Sequence, residues 1–467
     1  MPANSWPEKD YNELDSLNSM FADMSANLEL EEQKSQELCV PSRFQGRRRK
    51  AAVVLTMVWS GTIALHLVSW GSLFVLGLAT VVSLHSLVIV FAKPRHLDDE
   101  KTGDLPFVSL LVAAKNEELV ISNLVNNLCN LDYPSRGYEV WIVDDNSSDK
   151  TPQLLYELAD KYENLKVFRR KPGATGGKSG ALNQVLPLTK GEVIAVFDAD
   201  AQVSPDVLLR TIPLFNRETV GAVQLRKEIA NASTNFLTKG QMAEMAVDTF
   251  FQQKRSSRNG IGELRGNGQF VRRKALYSCG GWNEETITDD LDLTLRLHLD
   301  KWDIECVFFP AVKEEGVTNA VSLWHQRNRW AEGGYQRYLD YWDLILRNRM
   351  GTWKTFEVLI NFVLIQYIIP TAAIPDLLMA IARHRLPILS PFTGMTVTVS
   401  CLGIFAGLKR IHKNKSLKTY AYLMFLLQSL RGILFMFHWI VVISSTTARM
   451  SVLPKRLKWV KTLRQGE

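Results

Sequence analysis

The chain has 467 residues, 46% hydrophobic and 22% charged, with a mean hydropathy of −0.05; this balance excludes a disordered chain and equally a protein lying wholly within a membrane. Its net charge of +7 is segregated, because residues 1–40 hold nine Asp and Glu against two Lys and leave the positive excess to the remainder. Five cysteines, Cys39, Cys129, Cys279, Cys306 and Cys401, lie far apart with no C-x-x-C pair, which argues against a disulfide framework and a zinc site and places the working face in a reducing compartment.

In chain order, residues 1–46 read as an acidic tail too polar to fold alone. Arg47, Arg48, Arg49 and Lys50 then precede residues 51–92, a stretch of 42 residues without Asp, Glu, Lys or Arg. About 20 apolar residues cross a bilayer, so residues 47–92 are expected to form two transmembrane helices that turn near Gly71 and Ser72, with the basic cluster holding the N-terminus in the cytosol. The chain is thus a multi-pass integral membrane protein, and its positive excess suits anionic membrane lipids rather than nucleic acid.

Residues 93–350 change character, with short apolar runs alternating with helical stretches. Residues 107–113, 138–143, 166–168, 193–197 and 220–225 read as strands, and Thr151-Pro152 and Ser204-Pro205 each read as an N-cap followed by proline at the first helical position. Strand and helix in alternation predict an α/β domain with a mostly parallel sheet, its ligands at the carboxyl ends of the strands.

Residues 351–448 form a second membrane region of two or three spans, followed by a basic tail at 449–467. The uncharged runs are 358–375, 386–408 and 432–448, and 419–430 adjoins the last across Arg431. Three crossings would put the basic residues at 409–418 and at 455–461 on opposite sides, against the positive-inside rule. One segment must then stay in the interface, either the one broken by Pro370 and Pro375 or the one carrying Arg431.

Five constellations fall within the soluble part. Ala114 to Glu118, containing Asn116, follows the first strand, and Val143 to Asp149, with Asp144 and Asp145, follows the second; taken alone, such a cluster also suits a turn and helix cap. Gly173 to Gly180 has the composition of a phosphate loop around Lys178, but its spacing fails the G-x-x-x-x-G-K-S pattern. Asp198-Ala199-Asp200 ends an apolar strand, where two carboxylates suit Mg²⁺ or Mn²⁺. Thr288-Asp289-Asp290 precedes leucines alternating from Leu291 to Leu299, which by period alone read as a strand, and Gln326-Arg327-Asn328-Arg329-Trp330 reads as a basic helix at the membrane surface.

In this order and at these spacings the motifs resemble the family 2 glycosyltransferases with a GT-A fold, over roughly residues 106–338. The resemblance implies a Rossmann-like domain flanked by transmembrane helices, and it makes 291–299 helical. It also implies roles: Asn116, Asp144 and Asp145 toward the uridine, Lys178 and Arg329 toward the diphosphate, Asp198 and Asp200 as metal ligands for Mg²⁺ or Mn²⁺, and Asp290 as general base. Asp289, Gln326 and Trp330 fall on the acceptor side, Asp289 standing where the family more often has Glu. Within the family, the layout resembles the cyanobacterial enzymes that move glucose from UDP-glucose to diacylglycerol, which implies a cytosolic catalytic domain at the cell or thylakoid membrane. A processive polysaccharide synthase and a non-catalytic nucleotide-sugar sensor are the alternatives.

Overall fold

The structure, a computed structural model, describes residues 41–95, 105–412 and 419–453. The acidic segment 1–40 and the tail beyond residue 453 expected above lie outside the described residues. Residues 41–46 depart from the expected tail: a short turn at Pro41–Phe44 docks on the domain through Arg43, 2.6 Å from Asp343.

Helices α1 (Arg47–Leu67) and α2 (Gly71–Val90) follow, broken at the expected turn. Their apolar side chains face outward, with Met57, Leu67, Leu73 and Phe74 more than half exposed, an apolar surface of the kind that marks contact with a membrane or another protein. Arg47, the first residue of the basic cluster, also serves the packing of the domain. It is buried and forms a forked pair with Asp340 at 2.8 and 2.6 Å, so it clamps α1 onto the domain.

The domain is built on one eight-stranded sheet. Its strands are β1 (Val108–Ala114), β2 (Tyr138–Asp144), β3 (Leu165–Arg169), β4 (Val193–Phe197), β5 (Gln202–Val203), β6 (Val220–Ile229), β7 (Gln269–Arg272) and β8 (Asp303–Glu314), in the order β3-β2-β1-β4-β7-β6-β8-β5. The first four are parallel, as the alternation predicts. β7 then runs antiparallel to both β4 and β6, so the sheet is mixed. Helices α3 (Ile121–Cys129), α4 (Thr151–Lys161), α5 (Gly177–Val185) and α6 (Val207–Thr211) connect the early strands. The start expected at Ser204-Pro205 is displaced to Val207, because Pro205 lies in the preceding turn, where its carbonyl accepts from Asp132 N at 2.9 Å.

The second half holds α7 (Phe236–Ser256), α8 (Arg273–Ser278), α9 (Asp289–Leu299), α10 (Ala320–Leu346), α11 (Thr352–Ala382), α12 (Ser390–Ile411), α13 (Thr419–Met436) and α14 (His438–Val452). α9 explains the leucine alternation: residues 291–299 are buried on every side, so the polar residues between the leucines mark no solvent face. Each finds a partner inside the protein. Asp292 meets Arg296 at 2.7 Å, Thr294 Oγ1 accepts from Leu264 N at 2.8 Å, and the His298 ring lies 2.9 Å from the Gly262 carbonyl.

Among the described residues, five helical segments are long and apolar enough to cross a membrane: α1, α2, α11, α12 and Tyr420–Val452. α10 lies between the domain and these helices because two glycines let it approach both. A β-carbon on Gly333 would fall 2.2 Å from Thr288 Oγ1, and one on Gly334 would fall 2.2 Å from the Tyr367 hydroxyl of α11.

Candidate active site

β1, β2 and β4 end on one edge of the sheet, and the residues just beyond them enter a single large cavity of about 1860 Å³. Asp145, Lys178, Asp198 and Asp200 line it. Gly173, Gly176 and Gly177 take the left-handed backbone that lets the loop turn sharply into α5 and present Lys178 at the first turn of that helix. Lys178 Nζ donates to Asp198 Oδ1 at 2.6 Å. Burial alone would lower its pKa, but the Asp198 and Asp289 carboxylates raise it above the usual lysine value, so it stays an ammonium.

Two of the expected nucleotide-side residues stand behind this wall. Asp144 is buried: one oxygen accepts from Ser147 N at 3.0 Å and the other faces Arg169 at 3.2 Å. Asn116, at a φ of 55°, accepts from Ser148 N at 2.8 Å and so ties the β1 loop to the β2 loop. Asp145 is the member of the group that reaches the cavity. Arg170, which the motif reading passes over, donates to Asp145 at 2.6 Å and to the Thr175 carbonyl at 2.5 Å, locking the glycine loop beside it.

Across the cavity, Thr288, Asp289 and Asp290 line the opposite wall, the two aspartates opening α9. Gly266 lets the chain pass close to Asp290, since a β-carbon there would sit 3.2 Å from its Oδ2. Burial, and then the neighbouring Asp289 carboxylate, push the Asp290 carboxyl up to about 6. A base with that value works only when ionised, so the rate should rise with pH through about 6 and then level off. Asp289→Asn removes the like charge and should move this acid limb to lower pH. A pH–rate profile showing an unmoved limb would dissociate Asp290 from it.

The third wall is α10, where Gln326, Arg329 and Trp330 line the cavity while Arg327 points the other way into the protein. Burial lowers the pKa of Arg329, and Asp198, Asp290 and Asp289 oppose the shift; those three carboxylates define the pole that Arg329 faces. Arg327 is 1% exposed, stacks 4.1 Å from the Trp330 ring and donates to Glu244 at 2.5 Å. Trp439 of α14 donates to the same carboxylate at 2.7 Å. Glu244 of α7 therefore holds both Trp330, through Arg327, and a helix of the second membrane region.

The motif reading missed Glu244, although a single carboxylate inside the run Met242-Ala243-Glu244-Met245-Ala246-Val247 was a visible signal. Glu244→Ala should cost about 3–5 kcal/mol by leaving Arg327 buried without a counter-charge, read as a fall in Tm. Glu244→Gln, which keeps an acceptor for Trp439, should fold yet raise KM for the acceptor without changing UDP binding.

Asp198 and Asp200 offer only hard oxygens, which fits Mg²⁺ or Mn²⁺. Among the described residues no group of three or more His, Cys, Asp or Glu could hold a metal ion, so diphosphate oxygens and water would have to complete its shell.

The cavity is continuous with the membrane region. Beyond Trp330 its lining includes Phe437 and Ile440, Ala373 and Leu377 of α11, Leu389 just before α12, and Thr393 of α12. A polar head holding acids, lysine and arginine thus opens into an apolar trunk between helices.

Comparison with known proteins places this geometry. Residues 109–280 match the glycosyl transferase family 2 model. The beta-monoglucosyldiacylglycerol synthase of Trichormus variabilis is 68% identical over 467 residues, covering 100% of this chain and 99% of the relative. The protein of the same name from Synechocystis is 50% identical over 469 residues, covering 99% and 97%. Among solved structures, a Pyrobaculum calidifontis mannosyltransferase in complex with GDP-mannose and Mn²⁺ is similar at a TM-score of 0.53 and 18% identity, over 84% of this chain and 99% of that one; that likeness speaks for the fold.

Proposed function

Because the chain belongs to the beta-monoglucosyldiacylglycerol synthases of glycosyltransferase family 2 and is therefore a glycosyltransferase forming a glycolipid, we propose that it moves glucose from UDP-glucose to the free hydroxyl of 1,2-diacylglycerol, inverting the anomeric carbon. The observation that carries the acceptor reading is the cavity itself, whose polar head continues into an apolar trunk between α11 and α12. Diacylglycerol never leaves the bilayer, so its hydroxyl must meet the donor at the headgroup plane with its chains still among helices.

The chain's own groups supply the steps. Asp145 and the locked glycine loop receive the nucleotide. Lys178 and Arg329 bring positive charge to the diphosphate as it leaves, in a site arranged in advance of the reaction. Asp290, ionised above about pH 6, takes the acceptor's proton as its oxygen attacks the face opposite the diphosphate. Asp198 and Asp200 would hold a divalent cation, for which we propose Mg²⁺, and when bound it would supply positive charge to the leaving diphosphate.

We further propose that α1, α2, α11 and α12 cross the membrane and that Tyr420–Val452 does not. Support comes from its contacts, which touch domain helices at every stage: Gln428 to the Lys239 carbonyl at 2.7 Å, Trp439 to Glu244 at 2.7 Å, Thr446 to Asn328 at 3.0 Å, and Arg449 to Glu332. A helix leaving for the far side would lose the domain within a few turns. Four crossings put residues 47–50, 409–418 and 455–461 on the cytosolic side together, which removes the conflict in the positive-inside rule.

The depth of the trunk, which reaches Asp376, favours a processive polysaccharide synthase as the second reading. Against it, Asp376 accepts from His66 at 2.7 Å, Ile388 N at 2.9 Å and Leu389 N at 3.1 Å, so the carboxylate at that depth is taken up by the protein's own groups rather than offered to a sugar chain. Purified protein given labelled UDP-glucose and a membrane lipid extract should label the diacylglycerol fraction. Label appearing only in water-soluble or polymeric material would overturn the reading.

A further inference from the structure

Several deeply placed basic side chains of this protein meet carboxylates: Arg47 meets Asp340, Arg265 meets Asp248, Arg327 meets Glu244 and Arg337 meets Glu263. Lys254 and Arg410 do not. Lys254, near the end of α7, donates to the Ala92 carbonyl and lies 5.4 Å from the Phe250 ring centroid. Arg410, at the end of α12, lies 4.6 Å over the Phe308 ring. Among the described residues neither forms an ion pair, and both are half-buried. They act on each other: burial, then the charge of Arg410, lowers the Lys254 pKa, a repulsion that no ion pair among the described residues cancels.

Their place in the fold supplies the missing partner. Ala92 follows the last turn of α2 and Arg410 falls in the last turn of α12, so both helices leave the bilayer where these cations meet. Phe309 stands 47% exposed on β8 beside the same corner, and Lys409 precedes Arg410 with its ammonium 5.7 Å from the Tyr422 ring. Two mutually repelling cations at headgroup height, walled by aromatic rings and beside an exposed phenylalanine, suit an anion whose own body continues into the membrane.

We propose that Lys254 and Arg410 form a binding site for the phosphate of an anionic lipid headgroup at the cytosolic corner between α2, α7 and α12, distinct from the catalytic cavity. Neither residue lines that cavity. The bound phosphate bridges α7 to the two membrane helices and offsets the repulsion between the cations.

Full-length protein in neutral detergent, titrated with phosphatidylglycerol, phosphatidylcholine or inorganic phosphate and read by native mass spectrometry, tests the site. The wild type should retain phosphatidylglycerol in preference to phosphatidylcholine. Lys254→Gln/Arg410→Gln should lower that retention on the order of ten-fold while UDP still binds, and single Arg410→Gln, at a helix end, should give an intermediate loss that does not depend on the double variant folding. Retention unchanged in the variants, or equal retention of phosphatidylcholine, would overturn the site. Displacement of the lipid by inorganic phosphate at comparable concentration would overturn its assignment to a lipid.

Discussion

Asp290→Asn is expected to lower turnover by at least ~10²-fold, about 2.7 kcal/mol of barrier, while UDP-glucose binding stays within about two-fold. The substitution keeps the side chain's shape and the hydrogen bond that Leu291 N donates to Oδ1 at 2.9 Å, so the opening of α9 is preserved and only the proton acceptor is lost. Burial and Asp289 raise this carboxyl toward neutrality, which makes it a stronger base than an ordinary aspartate and still ionised at cytosolic pH. Steady-state transfer together with equilibrium UDP binding separates the two effects. Transfer within a few-fold of wild type would remove Asp290 from the mechanism.

Asp200→Asn should produce the second large loss, on the order of 10²-fold, affecting metal dependence and donor binding together because both meet through the diphosphate. Asp200 approaches the Glu315 amide at 3.4 Å, whereas Asp198 already receives the Lys178 ammonium; the two carboxylates of the D-x-D pair therefore differ in what they can give a cation. Titrating Mg²⁺ and Mn²⁺ against the variant should show a raised requirement for metal and a raised KM for donor. Wild-type transfer that persists in excess chelator would refute the metal role altogether.

The parallel half of the sheet was legible because its strands are apolar throughout and its turns carry Asp, Asn, Gly and Pro. The strands at the other end of the sheet were less so. β7 has only four residues, and β8 carries Asp303, Glu305 and Lys313 inside its run, paired off sideways with Lys354, Arg217 and Asp200's neighbour β5 in ways no local pattern reveals. In the site, Asp145, Lys178, Asp198, Asp200, Asp290, Gln326, Arg329 and Trp330, which line the cavity, were found by motif order, whereas Lys227, Arg265 and Glu314, which line it too, belong to no motif. What escaped notice were residues that act on those through space: Arg170 behind the glycine loop, Glu244 beneath Trp330 and Gly333 against Thr288. Their partners lie far away in sequence, so spacing carries no trace of them. The membrane topology shows the same limit. The conflict between the two basic clusters was visible in the sequence, but the choice of segment rests on contacts from Gln428 to Arg449 that only the fold brings together.

The chemistry proposed for this chain is a single in-line transfer from UDP-glucose to a bilayer lipid with Asp290 as base. A time course with diacylglycerol, following product size by chromatography and anomeric configuration by proton NMR, tests it. One lipid-soluble product of constant size, a single glucose in β linkage, should accumulate in step with UDP. An α linkage, or a ladder of products that lengthens with time, would contradict it.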